Sequence, residues 1–256
     1  IDKVDNLVDQ IGELVITQSM LSEVGENFGI EMIDRMREGL VQLERNTREL
    51  QESVMQVRML PISFSFNRFP RVVHDLSSAL GKKIELVIQG EGTELDKTVL
   101  EKIGDPLTHL VRNSIDHGVE LPADRVAAGK SETGIVSLNA YHQGGSIVIE
   151  VSDDGAGIDH NKIWEKALER GVVEEGEDLS EEDIYDLLFH PGFSTAEKVT
   201  DVSGRGVGMD VVRRNVRSLG GNVEISSKLG EGSVFTVRLP LTLAILDGQL
   251  LKVGSE

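Results

Sequence analysis

From Ile33 onward the apolar residues Ile33, Met36, Leu40, Leu43, Leu50, Val54 and Val57 recur at alternating steps of three and four, with only Thr47 out of pattern. That rhythm runs for about three and a half heptads and describes a helix whose apolar seam faces other helices. Upstream, Val4, Leu7, Val8, Ile11, Leu14, Val15 and Leu21 form a broader stripe, and Gly25-Glu26-Asn27-Phe28-Gly29 breaks the chain between the two segments. Pro61 stops the second one. Residues 1–60 are therefore expected to form an antiparallel helical hairpin, each arm roughly 35 Å long at ~1.5 Å per residue. Two helices alone cannot cover stripes this wide. A second hairpin from another copy would complete a four-helix bundle and make the chain a homodimer through residues 1–60; packing on its own downstream domain is the other way to cover them.

Beyond Pro61 the pattern changes to short β-branched runs punctuated by glycine. Strands are expected at Ile84–Gln89, Ile135–His142, Ile147–Ser152, Val223–Ser227 and Val234–Leu239, with Gln143-Gly144-Gly145-Ser146 turning between the second and third. Helices fit Ser65–Leu80, Thr98–His117, Lys162–Arg170 and Val207–Leu219. The fold class is thus α+β: the hairpin, then an α/β sandwich over residues 61–242 with a mixed sheet covered by helices on one face. Between Val173 and Asp186 lie eight acidic and no basic residues, which reads as a solvated face beside a loop. The tail, 243–256, holds a strand, an Asp247-Gly248 turn and a second strand, the beginning of another domain. The first residue is Ile1 and not Met, so the chain reads as a piece of something longer.

Composition narrows the function. Twenty-six Lys and Arg against 44 Asp and Glu leave a net charge of −18, which repels nucleic-acid backbones and anionic membrane surfaces. With no cysteine, the chain has no disulfides, no thiolate catalysis and no Cys-ligated zinc. No stretch approaches the ~18 apolar residues of a membrane span, and the start lacks the features of a signal peptide, so any membrane link is expected to be indirect and the location cytoplasmic.

Four constellations carry chemistry. In the first, His109 to Gly118, spacing of i and i+4 places His109, Asn113 and His117 along one helix face, where an amide oxygen and an imidazole could meet a metal-bound polyphosphate; a helix ending at a glycine cap with solvated polar residues is the plainer reading. In the second, Asp153-Asp154-Gly155-Ala156-Gly157 follows a strand. A carboxylate at Asp153 can accept from an exocyclic amine such as adenine N6, whereas guanine presents an acceptor there. Gly155 and Gly157 would let the backbone approach a flat ring, although Asp-Asp-Gly after a strand is also a common turn. The third, Gly204-Arg205-Gly206-Val207-Gly208-Met209, opens a helix with bare amides where a phosphate chain could lie, without the βαβ setting of a dinucleotide site or the Lys-Ser/Thr of a Walker loop. The fourth, Gly230-Glu231-Gly232-Ser233-Val234-Phe235, turns into the last strand.

In this order the four resemble the Bergerat-fold ATP-binding family, which includes gyrase, MutL, heat-shock chaperone ATPases and histidine kinases. Within it, Phe189-His190-Pro191-Gly192-Phe193-Ser194-Thr195 together with the run from Ser203 to Val212 is similar to CheA-type chemotaxis histidine kinases. The resemblance covers nearly the whole chain and implies a dimerisation hairpin, a catalytic domain, and over 243–256 the start of an SH3-like regulatory domain. It implies ATP and Mg²⁺, with Asn113 coordinating the metal helped by His109, Asp153 holding the adenine amine, and Gly204, Gly206 and Gly208 flanking the phosphates. Residues from about Tyr185 to Val207 would be a lid. Arg112, Asp116, His117, Gly155, Gly157, Lys162, Ser194, Thr195 and Ser233 are further nucleotide contacts by the same resemblance, and Lys198 and Arg205 add charge.

Two departures sort the possible activities. Hydrolysing members resemble one another in a Glu four residues before the metal-binding Asn, suited to activating water; here that position is His109. Rapid hydrolysis is not expected. Ordinary sensor kinases carry the phospho-accepting His on a dimerisation helix, but the six histidines are 74, 109, 117, 142, 160 and 190. The phosphoryl group must therefore go to a histidine on another domain or chain, and the resemblance supplies a separate phosphotransfer domain, a coupling protein and chemoreceptors as partners. The competing expectations are a mechanical ATPase of the gyrase or chaperone class and a dimeric scaffold with a degenerate nucleotide pocket.

Overall fold

A computed structural model describes residues 2–26, 33–174, 176, 179–191, 193 and 208–241. The chain divides into two compact units, Ile1–Met59 and Leu60–Glu256.

The first unit is the expected pair of helices, α1 (Asp2–Glu26) and α2 (Ile33–Arg58). Its seam is unlike the expected one, because polar groups occupy part of it. Asn46 and Thr17 are buried, with Asn46 Nδ2 donating to Thr17 Oγ1 at 3.0 Å and Gln42 Nε2 donating to Asn46 Oδ1 at 2.8 Å. The Thr17 hydroxyl donates onward to the Glu13 carbonyl at 3.0 Å. Meanwhile Ile11, Val15, Ile33, Met36, Leu40, Val54 and Val57, all members of the apolar stripes, remain exposed. Thr47, out of step with the heptad, is exposed and donates to the Leu43 carbonyl at 2.7 Å.

The second unit is built around a five-stranded sheet of β2 (Ile84–Gln89), β4 (Gly134–Gln143), β5 (Ser146–Asp153), β6 (Asn222–Lys228) and β7 (Gly232–Pro240), in the order β2-β4-β5-β7-β6. β2 runs parallel to β4 and the other neighbours are antiparallel, so the sheet is mixed. A two-stranded ribbon pairs β1 (Met59–Pro61) with β3 (Glu94–Asp96). The helices are α3 (Ser63–Phe66), α4 (Phe69–Leu80), α5 (Lys97–Asn113), α6 (Pro122–Ala127), α7 (His160–Glu169), α8 (Glu181–Asp186) and α9 (Met209–Ser218).

One face of the sheet is covered, as its period of two requires. Val136, Leu138 and Ala140 of β4 and Ile147, Ile149 and Val151 of β5 join Leu107, Leu110 and Val111 of α5 and Val212 and Val216 of α9 in a single core, while Ile135 is exposed on the opposite face. Asp153 continues the inward series of β5, so a carboxylate ends a row of buried aliphatic side chains.

Several elements depart from expectation for identifiable reasons. The expected helix Ser65–Leu80 is two helices, with Pro70 starting α4. The expected helix Thr98–His117 ends as an α-helix at Asn113 and continues as a π-turn over Ser114–Gly118. Lys82 fastens that turn by donating from Nζ to the carbonyls of Ile115 at 2.8 Å and Asp116 at 2.6 Å. α7 starts at His160 because the Asp159 side chain accepts from the Asn161 N–H at 3.0 Å. Part of the acidic run is helical, not loop: Ser180 and Asp183 form a reciprocal cap on α8, and three acidic residues in its first turn suit the positive end of the helix dipole. The ribbon strands and α6, too short for a periodic signal, were not expected. The tail 243–256 lies outside the described residues. Among the described residues no helix is long and apolar enough to cross a membrane.

Candidate active site

The site lies where the end of α5, the end of β5 and the start of β7 meet. The β5–β7 register places Asp153 directly opposite Ser233, and the β4–β5 register places it opposite Val136. Asp153 is 8% exposed. Its Oδ1 accepts from the Gly155 N–H at 3.1 Å, while Oδ2 is buried with no hydrogen-bond partner. Burial pushes the carboxyl above its ordinary range; the nearby Ser114 hydroxyl and the N–H groups of Gly155 and Ser233 pull the other way without overcoming it. Ser114 is itself buried, and its Oγ completes no hydrogen bond. Two adjacent buried polar atoms without partners form a place prepared for a ligand donor.

Backbone contacts fix the loop after Asp153. The Ala156 N–H donates to the Gly118 carbonyl at 2.9 Å, and the Gly230 N–H donates to the Ala156 carbonyl at 2.7 Å. A Cβ on Gly155 would collide with the Gly118 carbonyl, so the close approach of the two loops requires glycine at that position. At the strand opposite, Gly232 has φ of 116°, and a Cβ there would strike the Asp153 carbonyl. Ser233, buried, shares a hydrogen bond of 2.9 Å with Ser227, whose hydroxyl also accepts from the Ile158 N–H at 2.8 Å. Tyr185 closes this side, its hydroxyl donating to the carbonyls of Ser227 at 3.1 Å and Ile158 at 3.3 Å.

Asn113, the last residue of α5, donates from Nδ2 to the sulfur of Met209 at 3.0 Å. The first and third constellations therefore converge, since Met209 opens α9 immediately after Gly208, which stands at its N-cap without a side-chain cap. His109, one turn earlier, has its pKa lowered by burial first, then by Arg112 and His117, against an opposing pull from Asp210. Its imidazole is therefore held neutral, the form that can ligate a metal. His117 follows in the π-turn. Its exposed ring lies 3.7 Å from the Asp116 carboxylate. Arg112 and Asp116 are half-buried on the same segment. Lys162 is exposed on the first turn of α7 and makes no hydrogen bond or ion pair among the described residues. Gly157 joins the loop contacts through its approach to Lys228. Ser194, Thr195, Lys198, Gly204, Arg205 and Gly206 lie outside the described residues.

The donor set suits Mg²⁺: the amide oxygen of Asn113 is a hard ligand, and the neutral His109 is adjacent. No cluster of three or more His, Asp or Glu capable of holding a metal occurs among the described residues. Sequence reasoning placed Ser114 and Met209 inside the first and third constellations and Tyr185 at the start of the lid without giving them a contact of their own, and it missed Ser227. For Ser227 a signal existed, because it mirrors Ser233 across the Gly230 turn and a tight hairpin makes such residues partners.

Residues 102–243 match the family described as histidine kinase-, DNA gyrase B-, and HSP90-like ATPase, and residues 1–57 match that described as signal transducing histidine kinase, homodimeric domain. The chain is similar to the chemotaxis protein CheA of Klebsiella aerogenes, 55% identical over 256 residues that cover all of this chain and 39% of that protein. It is similarly related to the chemotaxis protein CheA of Bacillus subtilis, 48% identical over 258 residues covering all of this chain and 38% of that one. The chain thus spans about two fifths of the length of these relatives. Among solved structures, the catalytic domain of histidine kinase ThkA aligns with a TM-score of 0.47 at 15% identity, covering 73% of this chain and 97% of that one.

Proposed function

The chain belongs to the histidine kinase-, DNA gyrase B-, and HSP90-like ATPase family, on its CheA-type chemotaxis branch, and from that premise we propose that it is an ATP-binding kinase core that transfers the γ-phosphoryl group to a histidine on a separate phosphotransfer domain. The observation that carries this reading is the buried, unpartnered Oδ2 of Asp153, an acceptor for which the adenine amine would supply the missing donor.

In this reading residues 1–60 dimerise, 61–242 bind ATP, and 243–256 begin an SH3-like regulatory domain. The exposed apolar residues of α1 and α2 are the surface that a second hairpin covers. The core works in the cytoplasm, at receptor assemblies reached through a coupling protein. Asn113 and His109 hold Mg²⁺, which when bound neutralises charge on the phosphate oxygens. Asp153 orients the base, with Ser233 beside it and the Gly155 and Gly157 backbone against the ring. Arg112, Asp116, His117, Lys162, Ser194, Thr195, Lys198, Gly204, Arg205, Gly206 and Gly208 are the remaining proposed nucleotide contacts.

The acceptor imidazole, already a nucleophile when neutral, attacks the γ-phosphorus. The P–N bond forms as the bond to the bridging oxygen breaks, ADP leaves with the electron pair, and the other ring nitrogen releases its proton to solvent. Positioning and charge dominate such a transfer, and little base catalysis is needed. His109 occupies the place from which hydrolysing relatives activate water; in the proposed site one nitrogen of its neutral ring would ligate the metal while the other carries the proton, which leaves no free lone pair to deprotonate water.

The test follows γ-labelled Mg-ATP with the chain alone and with a purified histidine phosphotransfer domain. Acid-labile label on the added domain, with little on this chain and little free phosphate, is expected. Free phosphate without an acceptor would establish an ATPase instead, and binding without turnover would point to a scaffold.

A further inference from the structure

Bonded to the backbone of Asp154 and Gly155, just after Asp153, lies a cluster that the proposed function does not use. Arg125, on α6, is only 1% exposed. Its Nη2 donates to Asp154 Oδ2 at 2.7 Å, Nη1 to Glu120 Oε2 at 2.9 Å and to the Asp154 carbonyl at 3.2 Å, and Nε to the Ser131 carbonyl at 2.8 Å. Lys130, 19% exposed, donates to Glu120 Oε1 at 2.9 Å and to the carbonyls of Asp154 at 2.9 Å and Gly155 at 2.6 Å. Asp154 is also locked to β4, its Oδ1 accepting from the Ile135 N–H at 2.9 Å. Burial opposes ionisation of Glu120, but Lys130 and Arg125 hold its carboxyl below the ordinary range, so the cluster is charged.

The consequence runs through one peptide group. The Asp154 carbonyl faces the two cations, and the N–H at the other end of that peptide, on Gly155, donates to Asp153 Oδ1. Cations bound to a carbonyl polarise its peptide and strengthen the hydrogen bond that its N–H donates. They also fix the peptide plane, and with it the carboxylate oxygen that is occupied. We propose that Lys130 and Arg125 are positioning residues for base recognition: through the Asp154–Gly155 peptide they hold Asp153 with Oδ1 engaged and Oδ2 open to an exocyclic amine. This rests on the nucleotide reading given above and adds residues that never touch the ligand.

Lys130 is the better handle, because it is partly exposed whereas Arg125 is enclosed. The experiment measures the affinities of the whole chain for ATP and for purine riboside triphosphate, which lacks only the 6-amino group, by calorimetry with magnesium present. Wild type is expected to favour ATP by about tenfold or more, the range for one hydrogen bond to a charged group. In K130M, ATP binding should weaken by about tenfold while the analogue changes little, so the ratio falls toward one, and K130R should restore it. A merely structural lysine would lower the melting temperature and leave the ratio intact; that result, or equal weakening of both nucleotides, overturns the proposal. If K130M is too unstable to purify, E120Q, which removes the carboxylate the cations share, gives the same comparison with a smaller expected fall. A wild type that binds both nucleotides equally would instead refute Asp153 as the base reader, and the positioning role with it.

Discussion

Replacing Asp153 with Asn should separate stability from binding in opposite directions. The carboxylate has one oxygen engaged by the Gly155 N–H and one open. An amide that keeps its oxygen on Gly155 presents its NH₂ where Oδ2 was, donor against donor toward an adenine amine. Turned the other way, it sets NH₂ against the Gly155 N–H. The loss is therefore about 2 kcal/mol for the charge-assisted hydrogen bond plus about 1 kcal/mol for the misdirected donor, or roughly a hundredfold in ATP affinity. Stability moves differently. Burial raises the Asp153 carboxyl above its ordinary 3.8, so the folded chain holds that proton more tightly than the unfolded chain does. Wild-type stability therefore falls as pH rises from about 4 through the elevated value, and the full penalty persists above it. Asp153→Asn never ionises and escapes that penalty. Its melting temperature at pH 8 should equal or exceed that of wild type, with the advantage disappearing below about pH 4. Calorimetric titration with ATP and thermal unfolding across pH test both halves. Unchanged ATP affinity, or a variant markedly less stable at pH 8 than at pH 4 relative to wild type, would refute the reasoning.

Gly232→Ala should damage the second unit itself, since the left-handed backbone and the collision with the Asp153 carbonyl cannot both be relieved; a loss of about 3 kcal/mol or more is expected in denaturant unfolding. Leu40→Glu together with Val54→Glu should convert a dimer into a monomer that still binds ATP, read by sedimentation and titration, because both residues are exposed on α2. A dimer persisting in that double variant would move the interface elsewhere.

Much of the site could be read in the chain because it depends on local spacing. The step from His109 to Asn113 is one helical turn, the glycines sit where loops must close on one another, and the alternation of β5 carries Asp153 inward after Ile147, Ile149 and Val151. What stayed hidden depends on partners distant in sequence. The π-turn that carries His117 is held by Lys82, more than thirty residues away, and no pattern within Ser114–Gly118 announces it. Arg125 and Lys130 look like ordinary solvated charges on a short helix and its following loop until the end of β5 is folded over them. In the hairpin the heptad reading found the apolar residues but could not divide them between the α1–α2 contact and the surface left for another helix. Asn46 and Thr17, silent in a hydrophobicity count, take part of the seam; of the apolar stripes Leu7, Leu14, Leu21, Leu43 and Leu50 are half-buried, while Ile11, Val15, Leu40, Val54 and Val57 are left exposed.

That partly polar seam has a thermodynamic consequence. The hydrogen bond from Asn46 to Thr17 favours one alignment of α1 and α2 but contributes little net free energy, about 1 kcal/mol. The larger favourable term, burial of Ile11, Val15, Leu40, Val54 and Val57, is collected only when something else covers them. Folding of the hairpin and its association are then a single equilibrium governed by mass action, so the melting temperature of the first unit should climb with protein concentration while that of the second stays put.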